Sequence, residues 1–350
     1  MELQVIEKSN LAPFVQNLID NFQVEGVKKK GQSVYGQSFF YAPIKVPEDL
    51  CLDFDCTVIP PKKYLLPPKE ELFQFTTGPS PEAREVTEGN PLVLFGVHPY
   101  DLKAISQMDR VFADGNPDPH YLRRREAIML IGVDPTRVAP RSFWATMEAA
   151  TVSSGFDLML TDLGERYVVE IGSEKGSNFL TRHAAVRPAS KDDAVKRLDI
   201  RSQISDMSKK RGLTFPKREI PVLLEHSATN PLWEEKASKC LSCGTCNMVC
   251  PTCYCFDVWD DMTLDLVHGQ RLRRWDGCLL TDFARVATGE NFRETRTSRY
   301  RHRFFRKGQY LFNKLINDVA CVGCGRCASS CLPDIADPVD VFNTLKEGAE

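Results

Sequence analysis

Cys240-Leu-Ser-Cys243-Gly-Thr-Cys246-Asn-Met-Val-Cys250-Pro251 is answered later in the chain by Cys321-Val-Gly-Cys324-Gly-Arg-Cys327-Ala-Ser-Ser-Cys331-Leu-Pro333. The first run has the C-x2-C-x2-C-x3-C-P spacing that holds 4Fe–4S clusters in pairs, and the second repeats the cysteine spacing with Leu332 inserted before the proline. A cubane takes four thiolates at tetrahedral corners. Three cysteines at every third residue wrap a loop around three irons, and the fourth cysteine of each run is carried away toward the other cluster. This assigns Cys240, Cys243, Cys246 and Cys331 to one cluster, and Cys321, Cys324, Cys327 and Cys250 to the second. Gly244, Gly323 and Gly325 fit the same reading, because backbone must approach sulfide closely in conformations that glycine permits. Two Zn(Cys)4 sites would also use eight cysteines, but zinc ribbons need only C-x2-C pairs. Two complete runs, each followed by a proline, favour iron and sulfide.

Cys253, Cys255 and Cys278 lie between the runs. They could complete a third cluster with one outside ligand, but the simpler reading packs them as small apolar thiols beside the other two. Cys51 and Cys56 stand alone in the N-terminal half and read as buried thiols. Asn291–Tyr310 holds seven basic residues (Arg293, Arg296, Arg299, Arg301, Arg303, Arg306 and Lys307) against the single acid Glu294, with aromatic residues interleaved. That composition suits nucleic acid, and it equally suits a helix that offsets cluster charge or docks an acidic partner. The formal net charge of −2 disfavours nucleic acid and anionic membrane as partners.

The 350 residues, 42% hydrophobic and 26% charged, suit two or three domains, each burying a core. The first residues show no basic segment followed by an apolar one, and the apolar runs at 91–97 and 127–133 are too short to span a bilayer. A cytoplasmic protein with no membrane partner is expected. In that reducing compartment crowded cysteines point to metal rather than disulfides.

Residues 1–190 read as an α/β domain. Leu11, Phe14, Val15, Leu18, Ile19 and Phe22 recur with helical spacing, and Leu92–Val97 and Ile128–Val133 are dense apolar runs of buried-strand type. His98–Phe112 reads as a helix after the first of these strands, and Ser142–Ala150 as another after the second. Phe156–Thr161 and Tyr167–Ile171 flank a short polar turn as a hairpin. Residues 191–219 read as a linker helix, and Ile220–Ser238 as a helix leading into a mainly helical, ferredoxin-type dicluster domain over 220–350. No phosphate-binding glycine fingerprint or hydrolase constellation is present, and His98 reads as structural.

Beyond the runs, the chain from about residue 60 to 345 resembles the iron–sulfur β subunit of cytosolic NAD(P)-linked NiFe hydrogenases (sulfhydrogenases), and is similar to the corresponding iron–sulfur subunit of anaerobic sulfite reductase. The matching segments are Gly-Val-His-Pro-Tyr-Asp-Leu-Lys-Ala-Ile at 96–105, Asp118-Pro-His-Tyr121 with Arg123–Glu126, and Gly-Phe-Asp-Leu-Met-Leu-Thr-Asp-Leu-Gly at 155–164. Cys-Pro-Thr-Cys-Tyr-Cys-Phe at 250–256, Arg-Trp-Asp-Gly-Cys at 274–278 and the second run complete them. The resemblance implies an electron-transfer subunit without a substrate of its own. It would relay electrons between a flavoprotein subunit that handles NAD(P)H and a catalytic oxidoreductase subunit, with the eight run cysteines as ligands of two 4Fe–4S clusters. Family members often carry cysteine at the position of Tyr100 and in the loop near 133–142. This chain has none at either place, which argues against a further N-terminal cluster and leaves the catalytic partner open. A heterodisulfide-reductase-associated or sulfite-reductase-type complex is the alternative assembly. A reductase acting alone through a flavin-binding α/β domain and an iron–sulfur protein that binds nucleic acid are the readings from other classes.

Overall fold

The computed structural model describes residues 2–33, 36–86 and 89–348. Its strands are β1 (Leu3–Glu7), β2 (Gln23–Ser33), β3 (Gly36–Pro43), β4 (Lys69–Thr76), β5 (Glu82–Glu85), β6 (Leu92–Val97), β7 (Ile128–Val133), β8 (Leu158–Asp162), β9 (Arg166–Ile171), β10 (Arg187–Pro188), β11 (Phe256–Met262) and β12 (His268–Trp275). Eight of them form one sheet in the order β10-β1-β9-β8-β7-β6-β2-β3. The pairs β2–β6, β6–β7 and β7–β8 are parallel. This centre is why β7 reads as an unbroken apolar run: all six of its residues are buried, as a parallel strand covered on both faces requires. The antiparallel pair β8–β9 is the hairpin expected from the sequence.

Helices α1 (Lys8–Asn21), α2 (Pro99–Ala113), α3 (Pro119–Ala127), α4 (Glu174–His183) and α5 (Lys191–Lys209) accompany the sheet. Helix α1 buries Phe14, Val15 and Leu18, the i, i+1, i+4 stripe of an amphipathic helix. Helix α5 begins with a capping box, in which the Ser190 side chain accepts from Asp193 N and the Asp193 carboxylate accepts from Ser190 N. His98 is buried, its ring nitrogens 2.9 and 3.3 Å from the carbonyl oxygens of Val133 and Phe54, and it stacks on Phe54. That is a structural placement.

The C-terminal half contributes α6 (Ile220–His226), α7 (Leu232–Ser238), α8 (Thr245–Met248), α9 (Arg296–Phe305), α10 (Arg326–Ser329) and α11 (Pro338–Glu347). A second core joins them around Trp233, Tyr300, Phe304 and Phe342. The helix expected over Ile220–Ser238 is two helices, because the chain turns at Ser227–Pro231: Ser227 N bonds Leu224 O and Asn230 N bonds Ser227 O. Ser142–Ala150 is a set of turns instead of a helix. Phe143, Trp144 and Met147 bury their side chains there, and packing against the second cysteine run fixes the backbone. The half is helical only in part, since β11 and β12 form a hairpin whose second strand pairs with β4 in a four-stranded sheet, order β11-β12-β4-β5. The two halves of the chain therefore share a sheet. Buried Glu70 of β4 pins it, pairing with Arg273 of β12 at 2.6 Å and with Arg124 of α3.

Candidate metal centre

The two cysteine runs fold alike. Each passes through a left-handed glycine, Gly244 (φ +71°) or Gly325 (φ +78°), into a one-turn helix, α8 or α10, that carries the third cysteine. These two short helices pack on one another. Two residues earlier the second run has Gly323 at φ +70°, where the first has Ser242 at φ +53°. At Gly323 glycine is required for space as well as conformation, since a Cβ there would stand 2.6 Å from Trp144 Cα.

Cys250, Cys321, Cys324 and Cys327 line one cavity together with Arg303 and Lys307. The fourth cysteine of the first run thus joins the first three of the second. Cys240 and Cys246 are buried in the same core as Tyr300, and Cys331 packs against that core. Burial pushes the Tyr300 hydroxyl far above the usual range, and Cys246, Cys331 and Cys240 add to the effect. Cys243 sits at the exposed rim of the same loop, where its thiol donates to Thr245 Oγ1 at 3.4 Å. Among the described residues no three His, Cys, Asp or Glu side chains converge as ligands of a single metal ion. A four-iron core takes its thiolates at separate corners.

The electrostatics of the walls fit an anionic group. Burial pushes the Cys246 and Cys321 thiols up to about 12, so binding metal there must release protons. Three cations are buried among the sulfurs: Lys62, Arg303 and Lys307 are 3%, 3% and 6% exposed. Lys62 Nζ donates to Cys253 O at 2.9 Å, Lys307 Nζ to Thr252 Oγ1 at 2.8 Å, and Arg303 to Cys246 O at 3.5 Å. Among the described residues Arg303 Nε has no partner, and no carboxylate forms an ion pair with any of the three cations. Burying a cation without a counter-charge costs several kcal/mol, and the cysteine sulfurs beside these three are the groups that would become anionic on binding metal. Although burial alone would lower it, Cys246, Cys327, Cys250 and Cys253 hold the Arg303 guanidinium well above its ordinary value. Arg303 therefore adjoins both cysteine sets. Lys307 is likewise raised by Cys250 and Cys253 against burial. The basic stretch thus turns Arg303 and Lys307 inward, and Arg299 is buried on the backbone carbonyls of Arg293 and Glu294.

The N-terminal half grips the second run. Arg326, between Cys324 and Cys327, forms a fork with Asp101 of α2 at 2.6 and 2.7 Å and donates to Thr57 O at 2.7 Å and Thr57 Oγ1 at 2.9 Å. Ser142 Oγ donates to Cys324 O at 3.0 Å and Phe143 N to Gly323 O at 2.8 Å. Sequence reasoning missed Asp101, Thr57, Lys62 and Arg326 as parts of the site. A charged residue inside a cysteine run was the available signal for Arg326.

Residues 239–335 match the family model described as 4Fe-4S dicluster domain. The chain is similar to the sulfhydrogenase 2 subunit beta of Pyrococcus furiosus, 32% identical over 320 residues that cover 90% of this chain and 91% of that one.

Proposed function

We propose that this chain, which belongs to the sulfhydrogenase β-subunit family, is an iron–sulfur electron-transfer subunit that relays electrons between a flavoprotein subunit handling NAD(P)H and a catalytic module such as a NiFe hydrogenase. Cys240, Cys243, Cys246 and Cys331 would hold one 4Fe–4S cluster, and Cys321, Cys324, Cys327 and Cys250 the second. Each cluster, when bound, takes up and gives up one electron at a time. The observation that carries this reading is the cavity in which Cys250 meets Cys321, Cys324 and Cys327 beside buried Arg303 and Lys307. The protein's own part is to shield most of the thiolates from water, neutralise them with buried cations and fix the second run against the N-terminal half. The chain divides in this reading into 1–190, a partner-docking α/β domain, 191–219, a linker whose helical part is α5 (Lys191–Lys209), and 220–350, the cluster domain. Its setting is the cytoplasm, and no described helix is long and apolar enough to cross a membrane.

EPR of dithionite-reduced, anaerobically purified protein tests the crosswise ligation. Cys331→Ser and Cys240→Ser should perturb one and the same centre, and Cys250→Ser and Cys324→Ser the other. A Cys331→Ser spectrum matching that of Cys324→Ser would overturn the assignment. The relay role predicts that the isolated chain exchanges electrons with viologen dyes but does not oxidise NAD(P)H. NAD(P)H oxidation with bound flavin would favour a self-contained reductase.

A further inference from the structure

We propose that Cys253, Cys255 and Cys278 hold a third iron–sulfur cluster, beside the two assigned to the runs. The inference rests on the iron–sulfur reading of the runs and adds a site to it. Packing the three thiols as small apolar residues, the simpler expectation from sequence, does not account for their surroundings.

The hairpin β11–β12 brings the three together. Cys253 and Cys255 precede β11, Cys278 follows β12, and Asp276 N donates to Cys255 O at 3.0 Å, tying the two ends. Cys253 and Cys278 are buried and Cys255 is half-buried. Asn247, 1% exposed, turns its Nδ2 toward two of the sulfurs, 3.3 Å from Cys278 Sγ and 3.6 Å from Cys253 Sγ. Its Oδ1 is buried with no partner among the described residues. Gly277 makes this placement possible, because a Cβ there would stand 2.9 Å from Asn247 Cβ. A neutral thiol is a weak acceptor that gives little reason to bury an amide against it, whereas iron-bound thiolate takes such hydrogen bonds as its normal surroundings.

The charges point the same way. Lys62 reaches across from the N-terminal half to Cys253 O and lies over the Trp275 ring, 4.1 Å from its centroid. Lys62 is 3% exposed and forms no ion pair with a carboxylate among the described residues. A three-thiolate cluster would give this buried cation an anion. It would also leave one iron for a donor other than cysteine, and Asn247 Oδ1 is the oxygen beside the set that lacks a partner among the described residues. The location suits a relay, because Cys253 N donates to Cys250 O of one run set at 3.4 Å, and Asn247, whose Nδ2 lies 3.3 Å from Cys278 Sγ, directly follows Cys246 of the other. The three thiols do not converge on one point, as a single zinc ion with bonds of about 2.3 Å needs.

The test is iron, acid-labile sulfide and zinc per full-length chain after anaerobic purification, for wild type, Cys278→Ser and Cys255→Ser, with Cys51→Ser as the control. About twelve iron and twelve sulfide are expected in wild type and the control, and about eight of each in the other two variants. Unchanged far-UV circular dichroism and run-centre EPR signals would show that the variants are folded. Should they not fold, spin integration of fully reduced wild type decides, with about three spins per chain supporting the third centre and about two overturning it. About eight iron in wild type overturns this inference alone, as does a zinc ion lost with Cys278→Ser. Absence of iron from wild type overturns the run clusters as well.

Discussion

Replacing Asp101 with alanine should be among the most damaging single changes outside the cysteines. The carboxylate is 1% and the Arg326 side chain 2% exposed, and the described hydrogen bonds of the Arg326 side chain all go to Asp101 and Thr57. Without Asp101 the guanidinium keeps its charge, loses two charge-assisted bonds and cannot reach water, a loss of about 3–5 kcal/mol for a buried pair broken on one side. Removing both partners with apolar replacements of similar size, Asp101→Leu with Arg326→Met, leaves Thr57 Oγ1 without a donor and Thr57 O with only the weak Cys56 thiol donor at 3.6 Å, at about 1–3 kcal/mol. Urea unfolding of anaerobic protein, followed by far-UV circular dichroism, should show the single variant unfolding more than about 1 M earlier for an m of roughly 3 kcal/mol/M. The double variant should recover a large part of that shift. A single-variant change under about 0.5 kcal/mol, or a double variant worse than the single, would refute the claim that this pair locks the second run to helix α2 of the N-terminal half.

Other outcomes follow from the same contacts. Gly323→Ala places a methyl 2.6 Å from Trp144 Cα at a positive φ, so iron bound by the second run should fall while the first-run EPR centre survives. Arg303→Met removes a buried unit charge adjoining both cysteine sets. Acting over roughly 7 Å at an effective dielectric of about 20, that charge is worth about 2 kcal/mol, or on the order of 100 mV, and redox titration should find the midpoints lowered. Ser190→Ala removes the cap of α5 and should cost about 1 kcal/mol in the same urea assay. Burial, aided by Arg293, draws His302 down to about 4. The unfolded chain then binds a proton at His302 that the folded chain refuses between about pH 6.5 and 4, so stability falls as the pH drops through that window. His302→Gln should flatten this part of the profile relative to wild type, and an NMR titration midpoint near the ordinary value of about 6.5 for His302 would contradict it.

Features set by short-range rules were legible in the sequence. The paired cysteine spacing, the continuous apolar strands β6 and β7 and the hairpin β8–β9 each rest on neighbouring residues alone. The meeting of Cys250 with the second run's first three cysteines was inferred from the spacing, and the structure brings those four residues to one cavity. Long-range features were not legible. Pairing of β4 with β12 joins residues distant in the chain through Glu70 and Arg273, and strand propensity carries no record of such a partner. The segment Ser142–Ala150 has helical composition, yet Trp144 and Phe143 are held by Gly323, and that tertiary contact overrides local preference. Lys62 belongs to no motif of the sequence. Its burial over Trp275 beside Cys253 depends on a chain reversal that no local pattern announces. The basic stretch showed its charge in sequence, but its inward turn at Arg303 and Lys307 is set by the sulfurs it faces.

Iron and acid-labile sulfide per chain, with zinc measured on the same anaerobically purified sample, test the central claim most directly. Two clusters built crosswise from the two runs require iron and sulfide in equal amounts, at least about eight of each per chain, and paramagnetic centres that appear on reduction with dithionite. Zinc without labile sulfide, or iron lost in full from Cys240→Ser alone, would contradict them.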